Sequence, residues 1–166
     1  MVNKGINKED YTLRIANATP VQLVVINHEL LLAFIEEALA AHAAHEPAVY
    51  YKKINKAKDA LTQLIEGLDL ANEVAQNLYE LYRYAWEQLN KALFSQFANF
   101  ANSAAAITEV QEMFTTLLTS WQTIENTPDS RITDQPPDSK VYAGLTYGKD
   151  GLNEYIPDNG NEGFTA

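Results

Sequence analysis

The apolar positions between Thr19 and Glu125 recur at spacings of three and four residues, which predicts successive amphipathic helices. The first is predicted to run from about Pro20 to His45, because Thr19, Pro20 and Gln22 form a helix-start signal with a Thr-x-x-Gln capping box. Its apolar residues fall into two neighbouring stripes: Leu23, Ile26, Leu30, Phe34, Ala38 and Ala41, and beside them Val24, Leu31, Ile35 and Leu39. A helix with two apolar stripes must pack between neighbours or keep one face for a partner.

Three more helices follow in the pattern. The second is predicted over Ala48–Leu68, after the break at Glu46-Pro47. The third begins behind the cap residue Asn72 and continues toward a turn near Asn102-Ser103, and the fourth ends at Asn126-Thr127-Pro128. The predicted core stripe of the third helix is Val74, Leu78, Leu81, Ala85, Leu89 and Ala92. Four long helices with short connections predict an all-α fold, an antiparallel up-down four-helix bundle over residues 19–127.

Both flanks of this bundle have a different composition. In residues 1–18, Leu13 and Ile15 alternate with Arg14 and Ala16, and this alternation favours an extended leader that lies on a surface. Residues 128–166 form a tail rich in Gly, Pro and Tyr, divided into a spacer (128–140) and an aromatic docking segment (141–166). The docking segment carries large apolar side chains that we expect to pack on the bundle: Tyr142, Leu145, Tyr147, Tyr155 and Ile156.

Charge and composition restrict the class of protein. The net charge is −10, which argues against binding to a nucleic-acid backbone. The chain has no cysteine, no secretory signal behind Met1, and no apolar run near the ~20 residues of a membrane span. These features suit a protein of the reducing cytoplasm and predict no membrane insertion.

Catalytic chemistry finds little support in the sequence. His42 and His45 lie three residues apart beside Glu46, but the prediction is that both are solvent-exposed at a helix C-terminus. His28 is predicted at the core edge or in an interface. Because facing Glu-x-x-His pairs, a Gly-rich phosphate loop and a Ser/His/Asp arrangement are all missing, we predict no enzyme, no metal and no cofactor. A metal-binding bundle enzyme stays as an alternative that rests on His42 and His45 alone.

Aromatic residues surround much of the third helix, which indicates either core packing with partly exposed tyrosines or a surface for a protein partner. A four-helix bundle can bury only about one apolar stripe per helix. The remaining apolar surface of the first and third helices must therefore be covered by the leader, the tail or a partner. The partner-binding residues predicted in the leader and on the helices are Leu13, Ile15, Ile54, Leu61, Tyr79, Tyr82 and Trp86.

Three motifs resemble a known family. They are the helix start Ala18-Thr19-Pro20-x-Gln22-Leu23-Val24, the string Ala75-Gln76-Asn77-Leu78-Tyr79-x-Leu81-Tyr82-x-Tyr84, and Glu109-Val110 followed by Trp121. With the helix end Leu61-x-x-Leu64-x-x-Gly67-Leu68-Asp69, they are similar to the FliS family of cytoplasmic flagellin secretion chaperones, from about Tyr11 to Glu125.

The resemblance implies a chaperone that binds the C-terminal helical region of flagellin, prevents premature polymerisation and assists export through the flagellar type III apparatus, with a possible contact to its export gate. It also implies that the leader covers part of the binding surface until flagellin displaces it, and it adds Ile6 and Tyr11 of the leader to the predicted partner-binding residues. The alternative is a structural four-helix bundle that assembles with itself and has no flagellin client.

Overall fold

The structure is a computed structural model, and it describes residues 7–95 and 99–127. Ile6 and the whole predicted tail, including the docking segment, lie outside the described residues. Within those ranges the fold is all-helical without a strand, which confirms the predicted class, but there are five helices rather than four. They are α1 (Lys8–Ala16), α2 (Pro20–Ala43), α3 (Pro47–Glu66), α4 (Glu73–Phe94) and α5 (Phe100–Glu125).

The additional helix is α1, so the prediction of an extended leader is wrong. Asn7 caps α1, since its side chain accepts a hydrogen bond from the Asp10 N–H at 3.3 Å. Glu9 and Asp10 in the first turn add favourable charge at the positive end of the helix dipole. The alternation of Leu13 and Ile15 misled the prediction, because in a helix these residues point to different sides. Ile15 is buried, whereas Leu13 is 66% exposed.

The start of α2 confirms the predicted capping box. The Thr19 hydroxyl accepts from the Gln22 N–H at 3.3 Å, and the Gln22 side chain accepts from the Thr19 N–H at 2.9 Å. The far end closes with His45 at φ 57°, in the left-handed region. The N–H groups of His45 and Glu46 bond back to the carbonyls of His42 and Ala41, as in a Schellman motif.

The junction between the last two helices differs from the prediction. The expected turn near Asn102-Ser103 is wrong, because both residues lie inside α5, which begins at Phe100. Serine is frequent in turns, but the hydroxyl of Ser103 donates to the Phe100 carbonyl at 2.7 Å and accepts from the Tyr50 hydroxyl at 2.7 Å. These two bonds satisfy a buried polar side chain within a helix.

Helix α2 lies at the centre of the described core. It packs against α1, α3 and α5, while α4 packs against α3 and α5. Most residues of the two predicted apolar stripes of α2 are buried. Of the two predicted arrangements, packing between neighbouring helices or keeping one face for a partner, the structure has the first. No helix in the described ranges is long and apolar enough to cross a membrane.

The buried stripe of α4 is rotated from the predicted one. Its apolar members are Ala75, Leu78, Tyr82, Ala85, Leu89 and Ala92. The predicted stripe shares four of these residues but included Val74 and Leu81, which are 45% and 42% exposed. The rotation brings the Tyr82 ring into the core and leaves apolar side chains on both flanks of α4.

Candidate partner-binding groove

Partly exposed side chains, most of them apolar, follow the line along which α3 and α4 pack together. On α3, Tyr51 and Ile65 stand seven residues on either side of Lys58, and on α4, Tyr79 and Leu93 stand seven residues on either side of Trp86. Seven residues make nearly two helical turns, so each set of three lies on one side of its helix. We call this surface the α3–α4 groove: Tyr51, Lys58, Ile65, Tyr79, Trp86 and Leu93. None of its members is fully buried.

The contact between Lys58 and Trp86 joins the two sides of the groove. The Lys58 Nζ atom lies 4.8 Å from the centre of the Trp86 ring, within the range of a cation–π interaction. Trp86 is still 39% exposed, so a large aromatic surface stays available beside a positive charge. Aromatic side chains in such positions are typical anchors of protein interfaces.

The basic charge of α3 extends beyond Lys58. Four lysines occur within seven residues of this helix, at positions 52, 53, 56 and 58, against only Asp59 and Glu66 as acidic residues in the helix. Lys53 forms an ion pair with Glu37 of α2 at 2.7 Å. Burial raises the pKa of Asp59, while Lys56 and Lys58 act in the opposite direction. In a chain with a net charge of −10, α3 is therefore a locally basic surface.

Three predicted partner-binding residues lie beneath the surface. Ile54, Leu61 and Tyr82 are completely buried in the core, so they offer no contact area to a partner in this conformation. Tyr79 and Trp86, in contrast, line the groove. The partner-binding assignment as a whole stays a prediction, and the surface proposed below is drawn without the three buried residues.

Tyr82 belongs to a buried polar pair with His28. The His28 Nδ1–H donates to the Val24 carbonyl at 2.8 Å, which leaves Nε2 to accept from the Tyr82 hydroxyl at 3.3 Å. The Tyr82 ring stacks on Phe114, with ring centres 5.7 Å apart. Removal from water lowers the pKa of His28 to about 4, against the smaller, opposing effect of the Val24 carbonyl. This pair links α2, α4 and α5 inside the core.

Helix α1 covers part of α2 through few contacts. Ile15 is its single buried residue, and Arg14 forms a 2.7 Å ion pair with Glu29 of α2. Tyr11 is half-buried beneath the Arg14 guanidinium, and burial raises its pKa. Leu13 projects into solvent. Of the three predicted leader contacts that the structure describes, Ile15 is therefore buried, Tyr11 is half-buried and Leu13 is exposed.

The opposite flank of α4 carries three exposed apolar residues, Val74, Leu81 and Tyr84. The Tyr84 hydroxyl donates to the Glu109 carboxylate of α5 at 2.6 Å, and this hydrogen bond raises the pKa of Tyr84. This flank therefore combines apolar groups with an acidic neighbour, whereas the α3–α4 groove combines them with lysine.

The remaining histidines do not form a metal site in the described residues, where no cluster of three His, Cys, Asp or Glu side chains could hold an ion. The expectation that His42 is solvent-exposed is wrong. It is half-buried, its Nε2–H donates to the Phe100 carbonyl at 2.8 Å, and its ring lies 4.5 Å from that of Phe100. His45 is exposed, as predicted.

Four residues of the groove were absent from the predicted partner-binding set: Tyr51, Lys58, Ile65 and Leu93. Their signal is present in the sequence as spacing, since positions 51, 58 and 65 repeat every seven residues, as do 79, 86 and 93. Periodicity alone assigned them no function, because residues beside a core stripe are usually just its solvent-facing border.

The helical region also matches a known protein family. A scan against family models matches residues 3–128 to the model described as "Flagellar protein FliS". A search of curated proteins found no match. The family match includes all five helices and both sides of the α3–α4 groove, whereas residues 129–166 lie beyond it.

Proposed function

Because the chain belongs to the FliS family of flagellar secretion chaperones, we propose that it binds the C-terminal helical region of flagellin in the cytoplasm. Binding would cover the apolar faces by which flagellin subunits associate, and so prevent premature polymerisation. The chaperone would then assist delivery to the flagellar type III export apparatus, with contact to the export gate as the last step.

The observation that carries this proposal is the α3–α4 groove on its two packed helices. An amphipathic helix binds such a groove by placing apolar side chains at successive turns, and specificity comes from the pockets that receive them. Trp86 and Tyr79 offer large rings that lose little conformational entropy on binding. A client that folds on binding must bury a large apolar area to offset its ordering, so the groove would be one part of a longer contact surface.

We also propose that the four long helices alternate in direction as an antiparallel bundle, which would make the groove straight and continuous. Two contacts between α2 and α5 support this arrangement. His28, early in α2, lies 6.3 Å from Trp121 late in α5, and His42, late in α2, lies 4.5 Å from Phe100 at the start of α5.

The few contacts of α1 fit a displaceable cover. One buried residue, the half-buried Tyr11 and one partly exposed ion pair hold it on α2, and an ion pair of this kind contributes about 1 kcal/mol or less. Flagellin could therefore replace α1 at a small cost in free energy, while the four longer helices keep their shared core.

Two alanine variants on α4 test the proposed groove. Trp86→Ala is expected to lower the affinity for a flagellin C-terminal segment about tenfold or more, because it removes a central aromatic anchor. Tyr84→Ala is the matched control, since Tyr84 lies on the same helix and is 41% exposed compared with 39% for Trp86. Calorimetric titration measures both affinities. Equal losses in the two variants, or a larger loss with Tyr84→Ala, would show that the client does not use this groove.

A self-assembling bundle is the second candidate, and it is favoured by the exposed Val74 and Leu81 on the far flank of α4. These side chains would then form a contact between copies of the chain. Sedimentation at several concentrations decides the matter, because a chain that stays monomeric leaves this second candidate without support.

A further inference from the structure

The docking segment, residues 141–166, is acidic. Its acidic residues are Asp150, Glu154, Asp158 and Glu162, and its single basic residue is Lys149. Apolar groups alternate with these charges, among them Leu152, Tyr155 and Ile156. A surface suited to this segment must offer both apolar area and positive charge.

We propose that the docking segment of this same chain occupies the α3–α4 groove. The groove supplies the Trp86 and Tyr79 rings for the apolar side chains, and Lys58 lies directly at the Trp86 ring. The other three lysines of α3 lie six, five and two positions before Lys58, on other sides of the helix, so Lys58 is the charge of α3 that attracts the acidic residues of the segment to the groove. The opposite flank of α4 suits it less well, because Glu109 lies there beside Tyr84.

The length of the spacer permits this position. Thirteen residues lie between Thr127, the last residue described, and position 141, and an extended chain over those fourteen steps spans at most about 50 Å. The 22 residues of α4 measure only about 33 Å from end to end. Every part of the groove is therefore within reach of a tail that leaves the end of α5.

An intramolecular segment also has a concentration advantage over any free partner. A linker of this length gives an effective concentration near the millimolar range, so individually weak contacts suffice for docking. If the groove also receives flagellin, as proposed above, the segment competes with the client. The docking itself does not depend on that function, and its test contains no flagellin.

The test uses the full chain with Trp86 as a reporter. Trp121→Phe leaves Trp86 as the sole tryptophan, because the chain has two. In this background, neutralising the docking segment with Asp150→Asn, Glu154→Gln and Asp158→Asn is expected to shift the Trp86 emission to the red and to increase its quenching by acrylamide. The matched control neutralises three acidic residues of the spacer, Asp129→Asn, Asp134→Asn and Asp138→Asn, and is expected to change neither quantity.

A charge exchange provides the second arm. Lys58→Glu should uncover Trp86, but it also removes the cation that contacts the ring. The decisive variant therefore combines Lys58→Glu with Asp150→Lys and Glu154→Lys, which should restore the protected Trp86 signal. Circular dichroism establishes that each variant keeps its helices.

Three outcomes would overturn the proposal: no response of Trp86 to neutralisation of the docking segment, an equal response to neutralisation of the spacer, or no recovery in the charge exchange. Measurements at several protein concentrations identify the source of the segment. Protection that grows with concentration means that the tail of a second copy fills the groove, which contradicts docking within one chain.

Discussion

Replacing Tyr82 by alanine is expected to lower the free energy of unfolding by about 4 kcal/mol, as is typical when a large aromatic ring is removed from a core. The ring is completely buried and stacks on Phe114. Its hydroxyl also satisfies the Nε2 atom of His28. Since a domain of this size has a total stability of about 5–15 kcal/mol, this loss is at least about a quarter of the total.

The conservative variant Tyr82→Phe separates the ring from the hydroxyl. It keeps the stacking on Phe114 but leaves the buried His28 Nε2 without this donor, at an expected cost of about 1–2 kcal/mol. Urea unfolding measures both variants. Flagellin affinity of Tyr82→Phe should stay unchanged, because the hydroxyl points into the core. A Tyr82→Ala variant of unchanged stability that had lost flagellin binding would instead make Tyr82 a surface contact.

Acidification is expected to remove about 3 kcal/mol of stability through His28 between pH 6.5 and pH 4. In the folded chain the pKa of His28 is lowered to about 4, whereas the unfolded chain has the ordinary value near 6.5. Between these values the unfolded state takes up a proton that the folded state does not. The contribution is therefore fully present above pH 6.5, falls as the pH drops and is exhausted below pH 4.

The variant His28→Phe isolates this effect from the titration of carboxylates elsewhere. The groups described around the His28 ring are Tyr82, Phe114 and Trp121, which are uncharged at neutral pH and can accept another aromatic ring. Urea unfolding at several pH values between 4 and 7 should show a steep slope for the native chain and a shallower one for the variant. Parallel slopes would mean that His28 is protonated in the folded state, or is reached by water.

The sequence predicted those helix starts that are fixed by hydrogen bonds between residues close together in the chain. The capping box at Thr19 and the cap at Asn72 lie within three residues of the groups they satisfy, so the sequence alone identifies them. Helix α1 was missed because its nine residues contain too few turns for a clear period, and Leu13 and Ile15 also fit a strand.

Contacts between distant residues explain what the sequence could not predict. Periodicity could not choose between Leu81 and Tyr82 as a core residue of α4, because the predicted and the observed core stripes share four residues, Leu78, Ala85, Leu89 and Ala92. The choice depends on His28, which lies 54 residues away in the sequence and provides a partner for the Tyr82 hydroxyl. Likewise, the sequence could not predict the contact of Lys58 with the Trp86 ring, because it depends on the packing of α3 against α4.

The central claim is that this chain is a chaperone whose client is the C-terminal region of flagellin. Calorimetric titration of the intact chain with that segment, taken from a flagellin of the same genome, tests it most directly. We expect a one-to-one complex with micromolar or tighter affinity and a negative heat-capacity change from buried apolar surface. The absence of binding at micromolar concentrations would contradict it.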